Sequence, residues 1–147
     1  MKPTAKIGSL LGSKGGAVYA IEPSATVFDA IAMMADKGVG ALLVMHEEAL
    51  LGIISERDYT RKVILQGHSS KETRVEEIMT SDVLTATVDH TVEGSMHLMT
   101  DRHVRHLPVM EGARVLGVVS IGDLVKWTIS AQEETIAHLT NYIAGSY

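Results

Sequence analysis

A stretch of 42 residues occurs twice in this chain, displaced by 65 positions without a gap, so that positions 18–59 overlay positions 83–124. Of the 42 pairs, 13 are identical: Val18/Val83, Thr26/Thr91, Val27/Val92, Met34/Met99, Asp36/Asp101, Val39/Val104, Leu42/Leu107, Val44/Val109, Met45/Met110, Leu51/Leu116, Gly52/Gly117, Ser55/Ser120 and Asp58/Asp123. Most other differences at expected core positions exchange one apolar residue for another. A tandem pair of this kind packs its halves about a pseudo-twofold axis, so a cleft formed at one junction is formed again at the other. With 147 residues, the pair makes one module able to bury roughly 70% of its unfolded-chain surface. Function is to be sought in the paired clefts.

Each copy reads strand, helix, strand, strand, helix, an α/β (α+β) pattern. In the first, Val18 to Ile21 is an apolar run stopped by Glu22-Pro23. Ser24 or Thr26 then caps a helix carrying Val27, Ala30, Ile31, Met34 and Ala35 on one face, closed by Lys37-Gly38. Ala41 to Met45 and Leu50 to Ser55 flank a turn at His46-Glu47-Glu48, and Glu56 to Gln66 predicts a helix ended by Gly67. The second copy predicts a strand at Leu84 to Val88, a helix from Val92 to Arg102, strands at His106 to Met110 and Val115 to Ser120, and a long final helix from Ile121 to Ala144. That helix carries an apolar stripe of Leu124, Trp127, Ile136, Leu139 and Ile143, which needs a partner surface in the first repeat or in another subunit. Lead-in segments precede the copies. Ile7, Leu10 and Leu11 match Val75, Ile78 and Met79 at an offset of 68, the extra length falling in Gly12-Ser13-Lys14-Gly15-Gly16. The expected divisions are 1–17 lead-in, 18–66 first repeat, 67–82 linker and lead-in, 83–130 second repeat and 131–147 helical extension.

Composition narrows the function classes. A net charge of −5 argues against a nucleic-acid surface, which carries a basic excess. The absence of Cys removes disulfides and thiolate chemistry and fits a reducing compartment. No apolar run reaches the length of a membrane span, and the start lacks a signal-peptide pattern, so a soluble cytoplasmic protein is expected. The spacing of His97, His103 and His106 does not match a metal-binding helix pair, and no metal is expected. No nucleophile–base pair or carboxylate dyad marks an enzyme. The Met residues, including Met33, Met34, Met45, Met79, Met96, Met99 and Met110, read as core filling.

Two stretches carry chemistry. Both third strands end in one pattern, Gly52-Ile53-Ile54-Ser55-Glu56-Arg57-Asp58 and Gly117-Val118-Val119-Ser120-Ile121-Gly122-Asp123. Ser followed three residues later by an acid is a helix-start signal. A carboxylate beside free backbone N–H groups also suits a vicinal diol and a phosphate. Spacing alone leaves both readings open. The other stretch, His103-Val104-Arg105-His106-Leu107-Pro108-Val109, sets two cationic donors just before an apolar strand, either for a phosphate or as a solvated loop. The first copy has Gly38-Val39-Gly40-Ala41-Leu42-Leu43-Val44 there.

On these motifs the chain resembles a tandem pair of cystathionine-β-synthase (CBS) domains, a Bateman module, over residues 5 to 147. It is similar to stand-alone bacterial members, and its ending, Leu139 to Tyr147, resembles plant organellar relatives. The resemblance implies a non-catalytic regulatory module with adenosyl ligands in clefts between the repeats, where the motif Asp holds the ribose hydroxyls. Site one then combines Ser55, Arg57 and Asp58 with Val83, Leu84, Arg105, His106, Leu107 and Pro108. Site two combines Ser120, Gly122 and Asp123 with Val18, Tyr19, Val39, Gly40, Ala41, Leu42 and Lys14. Because Gly122 and Gly40-Ala41 stand in site two where site one has Arg57 and Arg105-His106, leaving only Lys14 on the lead-in loop to supply charge, site one is expected to hold AMP or a related nucleotide (ADP or ATP) tightly. Site two is expected to be weaker, to take an extended ligand such as NAD, or to remain unused. S-adenosylmethionine is a further candidate ligand. The resemblance also implies a homodimer and an effector protein whose identity the sequence does not reveal, with neither nucleic acid nor membrane as partner. The alternative is a protein-interaction module with vestigial clefts that regulates a redox or metabolic enzyme.

Overall fold

The computed structural model describes residues 5–14 and 18–145, apart from the side chains of 13, 14, 138 and 141–145. Contacts divide the chain into two units. One holds the first repeat (17–85) with 110–116; the other holds the second repeat (86–109 and 117–147) with the N-terminal lead-in.

In the first-repeat unit, β1 (Ala20–Ile21), β2 (Ala41–His46) and β3 (Ala49–Ser55) form a sheet in that order. β1 runs parallel to β2, pairing Ala20 with Leu43 and Ile21 with Val44, and β3 returns antiparallel. Between β1 and β2 lies α2 (Val27–Lys37), the helix its caps predicted. Thr26 Oγ1 accepts from Asp29 N at 3.1 Å, and Gly38 closes the helix in the left-handed conformation. Val27, Ala30 and Met34 join Leu42, Val44, Ile54 and Val63 in one core, each of the side chains larger than alanine contributing about 1.5–3 kcal/mol.

The predicted helix at 56–66 is only partly α-helical. After α3 (Glu56–Tyr59) the chain widens into a π turn, Thr60–Ile64, with Leu65 N donating to Thr60 O at 3.1 Å. Thr60 still makes the regular bond, its N–H donating to Glu56 O, and its hydroxyl donates to the same oxygen at 3.2 Å.

The lead-ins exchange places. The linker segment before the second repeat packs on the first: Val27 N donates to Thr73 O and Val75 N to Ala25 O, both at 2.8 Å, and α4 (Val75–Ile78) buries Val75 and Ile78. In the second-repeat unit the N-terminal segment does the same, with Val92 N donating to Ala5 O at 2.8 Å and α1 (Ile7–Lys14) burying Ile7 and Leu10. Here α5 (Val92–Arg102), β4 (His106–Glu111), β5 (Arg114–Ser120) and α6 (Ile121–Gly145) follow the predicted order.

One expected strand is nearly missing. Instead of a strand from Leu84 to Val88, Ala86 alone bridges Val109 in parallel fashion, with Ala86 N donating to Pro108 O at 2.9 Å. In the first repeat Leu43 N donates to Tyr19 O at 3.1 Å. Its counterpart is Pro108, which has no N–H to give Leu84, so the ladder ends after one bridge.

Gly52 and Gly117 owe their identity to the exchanged lead-ins. A Cβ on Gly52 would lie 2.8 Å from both Met79 Sδ and Thr80 O, and one on Gly117 would lie 2.7 Å from Leu11 Cδ1. Each third strand is therefore crossed closely by a lead-in.

Candidate functional site

The two Ser-x-x-Asp motifs sit where an apolar strand turns directly into a helix. Ser55 is extended, and its Oγ accepts from Asp58 N at 3.2 Å while Asp58 Oδ2 accepts from Ser55 N at 2.9 Å. The second copy repeats this box, with Asp123 Oδ2 to Ser120 N at 2.8 Å and Ser120 Oγ to Asp123 N at 3.0 Å. The helix-start reading of both motifs is realised. Both carboxylates are only partly exposed, at a helix N-terminus that favours negative charge.

Each motif is also tied to the segment before the second strand of its own repeat. Glu56 N donates to Gly40 O at 3.0 Å, and Ile121 N donates to Arg105 O at 2.9 Å. The two stretches singled out in the sequence are thus neighbours within a copy.

The copies differ in what surrounds the carboxylate. Lys62, one turn on, brings its Nζ within 3.2 Å of Asp58 Oδ1 and donates to Ile78 O at 2.8 Å. Asp58 is 15% exposed and Lys62 45%, so the pair is partly shielded from solvent. Trp127 stands at the equivalent position of the second copy, its Nε1 buried without a hydrogen-bond partner among the described residues. Lys62 is a cation beside the motif that the sequence reasoning missed; its spacing of four from Asp58 on a predicted helix was the available signal.

The expected site residues divide between the units. Ser55, Arg57, Asp58, Val83 and Leu84 of site one belong to the first-repeat unit, and Arg105, His106, Leu107 and Pro108 to the other. For site two, Val18, Tyr19, Val39, Gly40, Ala41 and Leu42 belong to the first-repeat unit, and Ser120, Gly122 and Asp123 to the second. The Lys14 side chain, Gly15 and Gly16 lie outside what the structure describes, as does the Ile143 side chain. Leu107 and Leu42 are buried strand residues, so their role in each unit includes core packing.

Val18 and Val83, expected in different sites, line one groove of about 1040 Å³ in the first-repeat unit, together with the hairpin residues Met45, Leu50, Met110 and Val115. The repeat pairs these as Val18/Val83, Met45/Met110 and Leu50/Val115. Glu47, Glu48 and Asp82 stand at its edge with Arg114. No group of three or more His, Asp or Glu among the described residues is placed to hold a metal ion, and no described helix is long and apolar enough to cross a membrane.

Comparison with known proteins accounts for this architecture. The CBS domain family matches twice, at residues 17–64 and 75–130. The mitochondrial CBS domain-containing protein CBSX3 of Arabidopsis thaliana is 45% identical over 127 residues, which cover 83% of this chain and 62% of that protein. The chain therefore spans somewhat under two thirds of that plant relative. The solved structure of a protein with CBS domains from Burkholderia ambifaria is 45% identical, with a TM-score of 0.84 over 87% of this chain and 96% of that one. A second structure, a CBS domain pair in complex with 5′-methylthioadenosine and S-adenosyl-L-methionine, shares the fold at 23% identity, with a TM-score of 0.78 over 88% of this chain and 99% of that one. The doubled strand-to-helix box, the reciprocal lead-ins and these matches agree: the chain belongs to the CBS domain family, as a tandem pair.

Proposed function

We propose that this CBS pair is a regulatory module without catalytic activity, which binds adenosyl nucleotides and passes its occupancy to a protein partner. The observation that carries the reading is the duplicated, partly shielded carboxylate at a strand-to-helix junction, with Lys62 paired to it in the first copy. Asp58 offers an acceptor to a ribose diol, and Arg57 and Lys62 add positive charge that Gly122 and Trp127 do not replace. With Val83, Leu84, Arg105, His106, Leu107 and Pro108 completing it, site one suits AMP, ADP or ATP. Site two, around Ser120, Gly122 and Asp123, has no counterpart of Arg57 or Lys62 and is the weaker site, open to an extended ligand such as NAD. The adenosyl compounds bound by the structural relative support this ligand class. The module acts as a homodimer in the cytoplasm, and ligand changes the packing that the effector reads.

A protein-interaction role with unused clefts is the second reading, favoured by the long exposed surface of α6. Calorimetry with AMP, ADP, ATP, NAD and S-adenosylmethionine separates them. Asp58→Asn keeps an acceptor at the cap but removes the charge, and the tightest ligand should weaken by about 30-fold or more, as for loss of a charged partner in a desolvated contact. Asp123→Asn should leave that ligand's affinity unchanged. Undiminished binding to a folded Asp58→Asn protein would overturn the assignment; no binding of any ligand would favour the second reading.

A further inference from the structure

We infer that the cleft between the π turn and α4 is a second binding site, which takes a phosphate dianion or a small phosphate monoester. The cleft holds about 330 Å³ and lies wholly within the first-repeat unit. Arg61, Lys62, Gln66 and His68 form one wall, across from Thr73 and Glu77 of the linker and α4. The backbone explains why these side chains converge. An α-helix sets residues five apart on different faces, whereas a turn bonded from i to i+5 brings them into line. The widening at Thr60–Ile64 therefore turns Gln66 to the side of Arg61. Gly67 then reverses the chain with φ 73°, and His68 N donates to Val63 O at 2.9 Å, which returns the imidazole to the same cleft. On the opposite wall Thr73 is buried and fixes the linker through its hydroxyl, which donates to Ser69 O at 2.7 Å.

Hydrogen-bonding capacity identifies the ligand. Lys62 is already committed to Asp58 and to Ile78 O, and Glu77 accepts from Arg74 N at 2.6 Å. The side chains of Arg61, Gln66 and His68 make no hydrogen bond or ion pair among the described residues. All three are donors: a guanidinium fork, an amide and an imidazole N–H. Three unspent donors on one wall, one of them permanently charged, match the several oxygens of a tetrahedral anion, and the guanidinium can meet two oxygens at once. Lys62 adds local positive field in a chain whose net charge is −5. A volume at the small end of ligand clefts admits the anion with a short organic group. The duplication supplies a control. At the equivalent places the second copy has Lys126, Trp127, Ala131 and Glu133, with Gln132 for Gly67, and α6 runs through without widening. The lead-in exchange is made there with Ala131 and Glu133 in place of Gln66 and His68, so packing does not require those donors.

This site makes no use of the nucleotide reading, and its test keeps the two apart. Inorganic phosphate or glycerol phosphate, titrated into the isotope-labelled full chain at fixed ionic strength, should give saturable amide NMR shifts at Gln66, Gly67 and His68. Arg61→Gln should weaken binding about tenfold or more, as for loss of a charged partner. His68→Glu, which installs the second copy's residue, should abolish it. Both positions are exposed, so the fold should survive, which the same spectra report. Lys126→Gln, at the place equivalent to Arg61, should leave the affinity unchanged. Shifts that never saturate, or that survive both Arg61→Gln and His68→Glu, would show an adventitious ion only and overturn the site. AMP that shifts the Ser55 and Asp58 amides together with the cleft amides, at one and the same concentration, would make the cleft the phosphate end of the nucleotide site and overturn a separate one. If AMP leaves Ser55 and Asp58 unmoved, the nucleotide reading fails while the phosphate titration still decides the cleft. Sedimentation with phosphatidate vesicles, with neither free phosphate moving the cleft amides, would overturn the small-ester assignment.

Discussion

The exchanged lead-ins predict that one substitution, made at two equivalent positions, has unequal effects. Gly52→Ala introduces a Cβ 2.8 Å from Thr80 O and 2.8 Å from Met79 Sδ. The thioether can rotate away, but the carbonyl cannot without moving the backbone. Thr80 is held by two bonds to Ile53, N to O at 2.9 Å and O to N at 3.0 Å. Overpacking of this kind costs about 1–3 kcal/mol, and weakening one or both backbone bonds adds about 1 kcal/mol each. A total near 2–4 kcal/mol follows for Gly52→Ala. For Gly117→Ala the three nearest atoms all belong to the Leu11 side chain, Cδ1 at 2.7 Å. That isobutyl end can change rotamer, and about 1 kcal/mol or less is expected. Urea unfolding followed by circular dichroism, with both variants beside the parent, reads the difference directly. Equal costs, or a larger one at Gly117, would refute the view that an immobile carbonyl makes Gly52 the stricter position.

Other outcomes follow from the same geometry. His103 ends α5 with φ 56°, where the first copy has Gly38 at φ 67°, so His103→Gly should stabilise by roughly 0.5–1 kcal/mol after the added unfolded-state entropy; a lower urea midpoint would contradict this. Glu47 at φ 56° corresponds to Gly112 at φ 62° in the two hairpins, and Glu47→Gly should behave alike by the same assay. Lys62→Met should cost only about 0.5–1.5 kcal/mol, because the ion pair is nearly half exposed on the lysine side and the Ile78 carbonyl is the larger loss; a cost above 3 kcal/mol would mean that Asp58 depends on it for more than shielding. Nucleotide at 100 times its dissociation constant should add about 2.7 kcal/mol and raise the melting temperature by roughly 5–10 °C, and no shift with any adenosyl ligand would count against the sensor.

Much of the candidate site was visible in the chain because capping is local. Ser55 and Asp58, like Ser120 and Asp123, need only three residues of spacing and a helix between them. Lys62 was harder to see, since its reach to Asp58 depends on the helix keeping its first turn before the π widening at Thr60. The grouping of Val18 with Val83 in one groove was not visible at all, because it joins segments 65 positions apart.

The same boundary runs through the fold. Periodicity, the cap at Thr26 and its counterpart Thr91, whose Oγ1 accepts from Gly94 N at 2.9 Å, and the turns at Gly38 and Glu47 decide which residues become helix or strand, for each is an interaction among near neighbours. The 68-residue offset of the lead-ins announces that they are alike, but not that each is bonded to the repeat it does not adjoin in the duplicated order. Tertiary packing decides that, through Val75 on Ala25 and Val92 on Ala5. It also turns a missing N–H at Pro108 into a lost strand, and a lead-in crossing β3 into the requirement for glycine at position 52. Short-range forces are written along the chain. Which distant edge receives a hydrogen bond, and which side chain finds no room, emerges only when the elements meet.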